Sequence, residues 1–439
     1  MHYISTRGGA PRLGFDDVLL TGLARDGGLY LPEAWPRLDP PALRGFAGKP
    51  YPKVAAEVMR PFLAGSCAEG AIDDLCARAY ARFARAGTCP LVQVDTRRWL
   101  LELFHGPTLA FKDVAMQLLG ELFDHVLAQR GEHITIVGAT SGDTGSAAIE
   151  ACRDRDNLDI VILHPKGRTS EVQRRQMTTV AAPNVHNVAV DGTFDDCQAL
   201  VKAMFNDQPF RDAQGLAAVN SINFARILAQ TVYYVTSAVA LGAPERTVDM
   251  AVPTGNFGNV FAGYAARAMG VPIGRLILGA NANDILTRFC ETGEMTARGV
   301  VPTFSPSMDI QISSNFERLL FDLLDGEGEA VARHMDQFKQ SGRFAVSDDR
   351  LARFRAAFDG ARYDDAATLA EIARAEQETG MLVDPHSAIG LAAARDRAAD
   401  PERPVVALAT AHPAKFPDAV KQATGRRPDL PERLADLYD

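Results

Sequence analysis

Lys112 is the residue of this 439-residue chain whose surroundings most need a chemical explanation. The segment HGPTLAFKDVAMQLLGELF, residues 105–123, has helical periodicity, and Pro107 is suited to a helix start. Lys112 would then lie on the same apolar stripe as Met116. An amine held among apolar side chains loses hydration, which lowers its pKa and makes it nucleophilic towards an aldehyde. When this lysine is taken alone, a charge that reaches solvent and pairs with Asp113 is the better interpretation.

A glycine-rich turn, PTGNFGNV, lies at residues 253–260 between an apolar strand pattern and an amphipathic helix pattern. Its two glycines allow a sharp turn, and the N–H groups of residues 256–259 with the helix start would cradle an anion such as phosphate. A tight turn without a ligand is an equal alternative. The turn matches neither GxxxxGK[ST] nor GxGxxG, which disfavours a nucleoside triphosphate and a dinucleotide.

A second turn of this kind, GATSGDTGS, covers residues 138–146 and again opens a helix. The hydroxyls of Thr140, Ser141 and Thr144 could bind another anion, such as a substrate carboxylate or phosphate. Threonine, serine and aspartate are also ordinary turn and helix-capping residues. Together, one apolar lysine and two anion-binding turns match pyridoxal 5'-phosphate (PLP), which has one aldehyde and one phosphate, with an amino-acid substrate that adds a carboxylate.

The elements that must position these residues follow an alternating pattern. From about residue 108, Val/Ile-rich stretches alternate with amphipathic helix patterns, which is typical of βαβ units and buried parallel sheet. The fold class is therefore α/β. The first hundred residues differ, with irregular structure and two helix patterns between residues 51 and 86. We expect an N-terminal extension at 1–95, one α/β domain at 96–240 and a second at 241–439, the last with a helical insertion.

Composition excludes several classes of protein. The chain is 47% hydrophobic and 23% charged with a net charge of -9, and its basic residues are scattered, so no nucleic-acid partner is expected. The N-terminus lacks the pattern of a signal peptide and no apolar run reaches the roughly 18 residues of a membrane span, so no membrane association is expected and the cytoplasm is the default. The six cysteines show neither a CxxC pair nor zinc spacing, which predicts free thiols and no metal site.

Four motifs, HGPTLAFKDVAMQ, GATSGDTGSAA, VNSINFARILAQ and VPTGNFGNVFAGY, occur in this order. With DGGLYLP, MDIQISSNFERL and TAHPAKFP, they strongly resemble the threonine synthase family of the longer bacterial and fungal type, over nearly the whole chain. The resemblance implies a fold-type-II PLP enzyme of the tryptophan-synthase-β-like kind, with two parallel-sheet α/β domains facing each other across the cofactor.

The resemblance also implies roles for individual residues. It makes Lys112 the Schiff-base residue and places Thr410 at the pyridine nitrogen, with Asp143 near the phenolic oxygen. By the same analogy the substrate carboxylate binds Thr140, Ser141 and Thr144. The phosphate loop of PLP comprises Gly255, Asn256, Phe257, Gly258 and Asn259. The family's loop often reads PSGNFGD, and the changes here, to Thr254 and Asn259, keep a hydroxyl and a capping side chain.

The implied reaction is a lyase reaction that converts O-phosphohomoserine and water to threonine and phosphate. The candidate donors to the substrate phosphate, which are equal alternatives, are Lys166, Arg168, Ser313 to Asn315, and Lys415. A phospholyase or dehydratase of the same fold, releasing a 2-oxo acid, and a metabolite-binding relative without catalysis are the alternatives. The resemblance also implies a monomer without regulation by S-adenosylmethionine.

Overall fold

The computed structural model describes residues 1–140, 142–167, 169–218 and 221–438. Residues 1–90 form a mainly helical layer of short elements, as the sequence predicts. Its strands and helices are β1 Tyr3–Ser5, α1 Phe15–Thr21, β2 Tyr30–Pro32, α2 Pro40–Gly45, α3 Tyr51–Met59 and α4 Ile72–Tyr80.

The middle of the chain begins with a β-hairpin and continues as alternating helices and strands. These elements are β3 Leu91–Gln93, β4 Arg98–Glu102, α5 Lys112–Arg130, β5 Ile134–Ala139, α6 Asp143–Cys152, β6 Leu158–Pro165, α7 Glu171–Thr178, β7 Val185–Val190, α8 Phe194–Asn206, α9 Gln208–Ala213, β8 Leu216–Ala217 and α10 Phe224–Ala240.

The remaining part contains further strand–helix units and the expected helix-rich region. These elements are β9 Val248–Pro253, α11 Gly258–Ala268, β10 Ile273–Ala280, α12 Ile285–Thr292, β11 Glu294–Thr296, α13 Phe316–Leu323, α14 Gly328–Ser341, β12 Arg343–Ala345, α15 Asp348–Ala357, β13 Phe358–Arg362, α16 Asp365–Thr379, α17 Pro385–Arg397, β14 Val405–Ala409 and α18 Pro417–Thr424. No helix in the described part of the chain is both long and apolar enough to cross a bilayer.

Two parallel sheets form the framework. The smaller sheet has the order β7-β6-β5-β8 and is parallel throughout. The larger has the order β13-β10-β9-β14-β4-β3, in which only the β3–β4 hairpin is antiparallel. This pair of sheets confirms the predicted α/β class with two parallel-sheet units.

The position of β4 departs from the predicted boundaries. We expected residues 96–240 to form one unit, but β4 pairs with β14, and Leu100 is in register with Ala407. The strand therefore belongs to the larger sheet, whose other parallel strands come from residues 241–439. A local pattern shows that a segment is a strand, but its partner 300 residues away depends on the tertiary fold.

The strands of the larger sheet are buried on both faces. Along β9, Val248, Met250 and Val252 join the core shared with the N-terminal helices, whereas Ala251 packs in a second core beneath α16 and α17. This alternation follows from the two-residue period of a strand. A sheet covered on both faces holds the carboxyl ends of its strands at fixed positions, which is where ligands bind in such folds.

Helix α5 begins later than the sequence predicts. Instead of starting near Pro107, it starts at Lys112, because Leu109 has a φ of 63° and Ala110 forms an antiparallel bridge with Ala411. Phe111 N donates to the carbonyl of Thr410 at 2.8 Å. The pairing places Lys112 at the first position of the helix, beside the end of β14.

Close packing of α5 on α6 gives a stability prediction. A Cβ on Gly120 would lie 2.3 Å from the carbonyl oxygen of Ala151, so Gly120→Ala must separate two buried helices. The clash should outweigh the roughly 1 kcal/mol gain in helix propensity and lower the free energy of unfolding by about 1–3 kcal/mol. Denaturant unfolding measures it. Gly45→Ala, whose Cβ meets no atom within 4 Å, is the control, and equal stability of the two variants would contradict the prediction.

Candidate active site

A cleft lies where the carboxyl ends of β9 and β14 face the starts of α5 and α6, and its empty space, including the part open to solvent, is about 730 Å³. Its walls bring together segments that are far apart in the sequence. The residues used below that line it are Lys112, Asp143, Thr144, Arg226, Gln230, Thr254 to Asn259, Ser307, His386 and Thr410. The predicted lysine, the 255–259 turn and Thr410 therefore share one cavity.

Lys112 is nearly enclosed, with 11% of its side chain exposed. Its Nζ lies 3.2 Å from Asp143 Oδ2, so its ionic partner is Asp143. Asp113, the partner that the sequence suggested, instead accepts hydrogen bonds from the backbone N–H and the hydroxyl of Thr108. Burial lowers the pKa of Lys112, and the nearby charge of Asp143 opposes this shift without cancelling it. Such an amine loses its proton more readily than a surface lysine.

Asp143 receives donors on both oxygens. Oδ1 lies 2.8 Å from Lys415 Nζ and accepts from Gln173 Nε2 at 2.9 Å. Oδ2 accepts from Ser307 Oγ at 3.1 Å as well as facing Lys112. Burial alone would raise the pKa of this carboxyl, but the charges of Lys112 and Lys415 hold it well below its usual range. Asp143 is therefore a carboxylate at neutral pH.

In the turn before α11, two carbonyl groups accept hydrogen bonds from residues 313–315, which fixes the shape of the turn. The carbonyl of Gly255 accepts from Ser313 Oγ at 2.6 Å, and the carbonyl of Asn256 accepts from Asn315 N at 3.1 Å. Phe257 caps the helix with a φ of 64°. The first N–H groups of a helix have no acceptor within it, so this turn has the features of an anion site.

Two further observations fit this turn to a phosphate. Asn259 Oδ1 accepts from the hydroxyls of Tyr233 and Tyr234, at 2.6 and 3.0 Å. Its Nδ2 is buried and has no partner among the described residues, which leaves a donor for a ligand oxygen. A Cβ on Gly255 would lie 3.0 Å from the carbonyl oxygen of Ser307, so the turn packs too closely for a larger residue.

The second predicted turn is only partly in the cleft. Thr144 lines it, but Thr140 does not, and Thr140 Oγ1 accepts from the N–H groups of Gly142 and Gly145 at 3.0 and 2.8 Å. Its hydroxyl therefore closes the turn. Ser141 lies outside the described residues.

His386 is a cleft residue that the sequence interpretation missed. Its Nε2 accepts from Ser307 N at 3.2 Å, so the proton is on Nδ1, which donates to Asp384 Oδ2 at 2.6 Å. Ser387 also donates to Asp384 and accepts the N–H of Thr410 at 3.1 Å. A hydrogen-bonded chain thus fixes the backbone of Thr410. Its only sequence signal was DPHS, an Asp–Pro helix start followed by a histidine.

Arg226 and Gln230 were also missed, although both lie within the quoted motif VNSINFARILAQ. They are one turn apart on α10 and line the cleft beside the 254–259 turn. Arg226 is almost fully buried. A basic residue four positions before a glutamine on an apolar helix could have indicated an inward-facing polar pair.

The predicted donors to the substrate phosphate are dispersed. Lys166 is at the surface, 67% exposed, and pairs with Asp191 at 3.4 Å. Arg168 lies outside the described residues. Ser313 and Asn315 are used by the carbonyls of the 255–259 turn. Lys415 is fully buried behind Asp143.

The residues of the cleft fit PLP. The enclosed amine of Lys112 suits its aldehyde, and the first N–H groups of α11 suit its phosphate. The hydroxyl of Thr410, at the end of β14, suits its ring nitrogen. Comparison with known proteins agrees. Residues 89–411 match the family described as "Pyridoxal-phosphate dependent enzyme", residues 2–80 match "Threonine synthase N terminus" and residues 387–439 match "Threonine synthase, C-terminal".

Relatives match over the full chain. A threonine synthase of Pseudomonas aeruginosa is 55% identical over 100% of this chain and 94% of its own length. The crystal structure of PLP-bound threonine synthase from Brucella melitensis superposes with a TM-score of 0.98 at 56% identity, covering 100% of this chain and 94% of that one. The crystal structure of threonine synthase from yeast superposes with a TM-score of 0.94 at 39% identity, covering 100% of this chain and 94% of that one.

These matches confirm three predictions: the family resemblance of the motifs, the fold-type-II architecture and the dependence on PLP. They extend from the N-terminal layer to the last residues, so they concern the whole chain and not one shared domain. The chain belongs to the threonine synthase family of PLP-dependent enzymes.

Proposed function

We propose that this chain is a lyase that converts O-phospho-L-homoserine and water into L-threonine and phosphate, with PLP as its cofactor. The observation that carries the proposal is the enclosed amine of Lys112, placed in one cleft with the 255–259 turn of a full-length member of this family. Bound PLP supplies an electron sink that stabilises negative charge at the substrate carbons.

Lys112 has two tasks in this proposal. Its amine would hold the cofactor covalently through the aldehyde, and the same amine would move protons at the substrate's Cα, Cβ and Cγ, where phosphate leaves Cγ and water adds at Cβ. A buried amine with a lowered pKa gives up its proton more readily than a surface lysine and can also return it. Asp143, which pairs with this amine at 3.2 Å, would direct it into the cleft and would lie near the phenolic oxygen of the bound cofactor.

The other residues bind the two molecules. Gly255 to Asn259 would hold the cofactor phosphate, and the Thr410 hydroxyl would bond the ring nitrogen, where a neutral partner tempers the electron sink. Thr144, with Ser141 of the same turn, binds the substrate carboxylate, whereas the Thr140 hydroxyl is used inside the turn and is not proposed as a ligand. Arg168, in the segment after β6, is proposed for the substrate phosphate. Lys166 is not, because it is exposed, pairs with Asp191 and does not line the cleft. We further propose that the protein is a cytoplasmic monomer.

Product analysis tests the reaction. Incubation with O-phosphohomoserine should yield threonine and inorganic phosphate in equal amounts, and the same protein stripped of PLP should yield neither. Accumulation of 2-oxobutyrate without threonine would instead identify a phospholyase. Reduction with borohydride followed by peptide mapping should place the cofactor on Lys112.

A further inference from the structure

Lys415 is a second lysine of the site, and the solvent does not reach it. It lies in the short 3-10 turn Pro413–Lys415 after β14 and its side chain is 0% exposed. Its Nζ lies 2.8 Å from Asp143 Oδ1 and donates to the carbonyl oxygen of Thr108, also at 2.8 Å. These contacts place the ammonium behind Asp143, outside the set of residues that line the cleft.

This position disagrees with the prediction that Lys415 binds the substrate phosphate. A phosphate donor must face the cleft, whereas the ammonium of Lys415 is bonded to two protein oxygens that come from different segments. Withdrawing it would leave the carboxylate of Asp143 and the Thr108 carbonyl with fewer donors in a buried place, which is costly. A role inside the protein fits the geometry better.

The donors around Asp143 show what that role is. Two cations, Lys112 and Lys415, share one buried carboxylate, each on a different oxygen. One cation suffices to balance the charge of Asp143. The second becomes necessary when the nitrogen of Lys112 is bonded to the cofactor or has given up its proton, because a buried carboxylate without a cation costs several kcal/mol.

We propose that Lys415 is a positioning residue: it holds Asp143 in place and keeps its charge balanced, so that Asp143 does not retain the proton on Lys112. The proposal rests on the proposed function of Lys112. Gln173 supports the same arrangement, because it donates to Asp143 Oδ1 and is itself fixed by the capping box of α7.

The electrostatics have the required direction. The charge of Lys415 lowers the pKa of Lys112 in addition to the effect of burial. Other titratable groups face this cluster from neighbouring elements and are retained in the variants below. They are Asp113 on α5, whose pKa burial raises to about 6, Arg226 on α10, His386 on α17 and Arg433 in the C-terminal segment.

The test compares Lys415→Met with the unaltered chain by the midpoint pH at which the Lys112 nitrogen loses its proton, measured in two ways. In the holoenzyme, the visible absorption of the cofactor is titrated with pH. In the full chain without PLP, the rate of acylation of Lys112 by acetic anhydride is followed by peptide mass spectrometry across pH. Both midpoints should rise by about one pH unit, because Asp143 then pairs with Lys112 alone and the repulsion by Lys415 is lost. Lys421→Met, on the exposed face of α18, should leave both midpoints unchanged.

The double variant Asp143→Asn/Lys415→Met removes the buried carboxylate together with its second cation, so no carboxylate is left short of a donor if the single variant misfolds. Its midpoint for acylation should lie below that of Lys415→Met, because Lys112 then has no carboxylate partner. Midpoints of the single variant that stay at the wild-type value, or a double variant that titrates like the single one, would overturn the proposal. Neither midpoint depends on which product forms, so the proposal and the proposed reaction can fail separately.

Discussion

Lys112→Ala should form threonine at least roughly 10³-fold more slowly than the unaltered chain, because removal of a general acid–base group costs about 10²–10⁴-fold and the covalent attachment is lost as well. The cofactor should still bind, since the 255–259 turn is intact, but borohydride should no longer fix it to the protein. Turnover with O-phosphohomoserine and the mass of the reduced protein measure the two effects.

A matched control and a rescue separate chemistry from folding. Lys53→Ala removes an exposed lysine paired with Asp73 and should keep full activity. Added ethylamine should restore part of the lost activity of Lys112→Ala, because a free amine can enter the cleft and carry protons. If Lys112→Ala formed threonine at the original rate, another group would be the base and the proposed function of Lys112 would be wrong.

The general fold could be predicted because strand and helix periods are local properties. The pattern around VDMAVPTGNFG correctly predicts β9, its turn and α11. The local pattern of residues 98–102 could not show that β4 joins the sheet of β14, because pairing between residues 100 and 407 depends on the tertiary fold. The late start of α5 has the same cause, since residues 109–111 pair with residues 410–412.

The same limit applies to the site. Lys112 could be found because it is a lysine in an apolar helix pattern. The 255–259 turn could be found because its glycines stand between a strand pattern and a helix pattern. Lys415 was visible as a lysine, but only the structure shows that it is buried against Asp143. His386 reaches the cleft through the packing of α17 on β14 and its contact with Ser307, neither of which leaves a local pattern.

Asp143→Asn should lower the free energy of unfolding at pH 7 by about 3–5 kcal/mol, the usual cost of removing one partner of a buried ion pair. The substitution leaves Lys112 and Lys415 buried with no carboxylate at the centre of the cluster. Denaturant unfolding measures the loss. Asp191→Asn, which removes an exposed carboxylate paired with Lys166, should produce no measurable change.

The pH dependence identifies the charge of Asp143 as the cause. Its pKa in the folded protein lies well below that of an unfolded aspartate, about 3.9. Its contribution is therefore fully present above the unfolded value and is lost as the pH falls through the folded one. The stability difference between the two proteins should shrink below about pH 4. Asp113, whose pKa burial raises to about 6, titrates in both proteins, so its effect cancels in the difference. A difference that stays constant down to pH 3 would mean that lost hydrogen bonds, and not the charge, destabilise the variant.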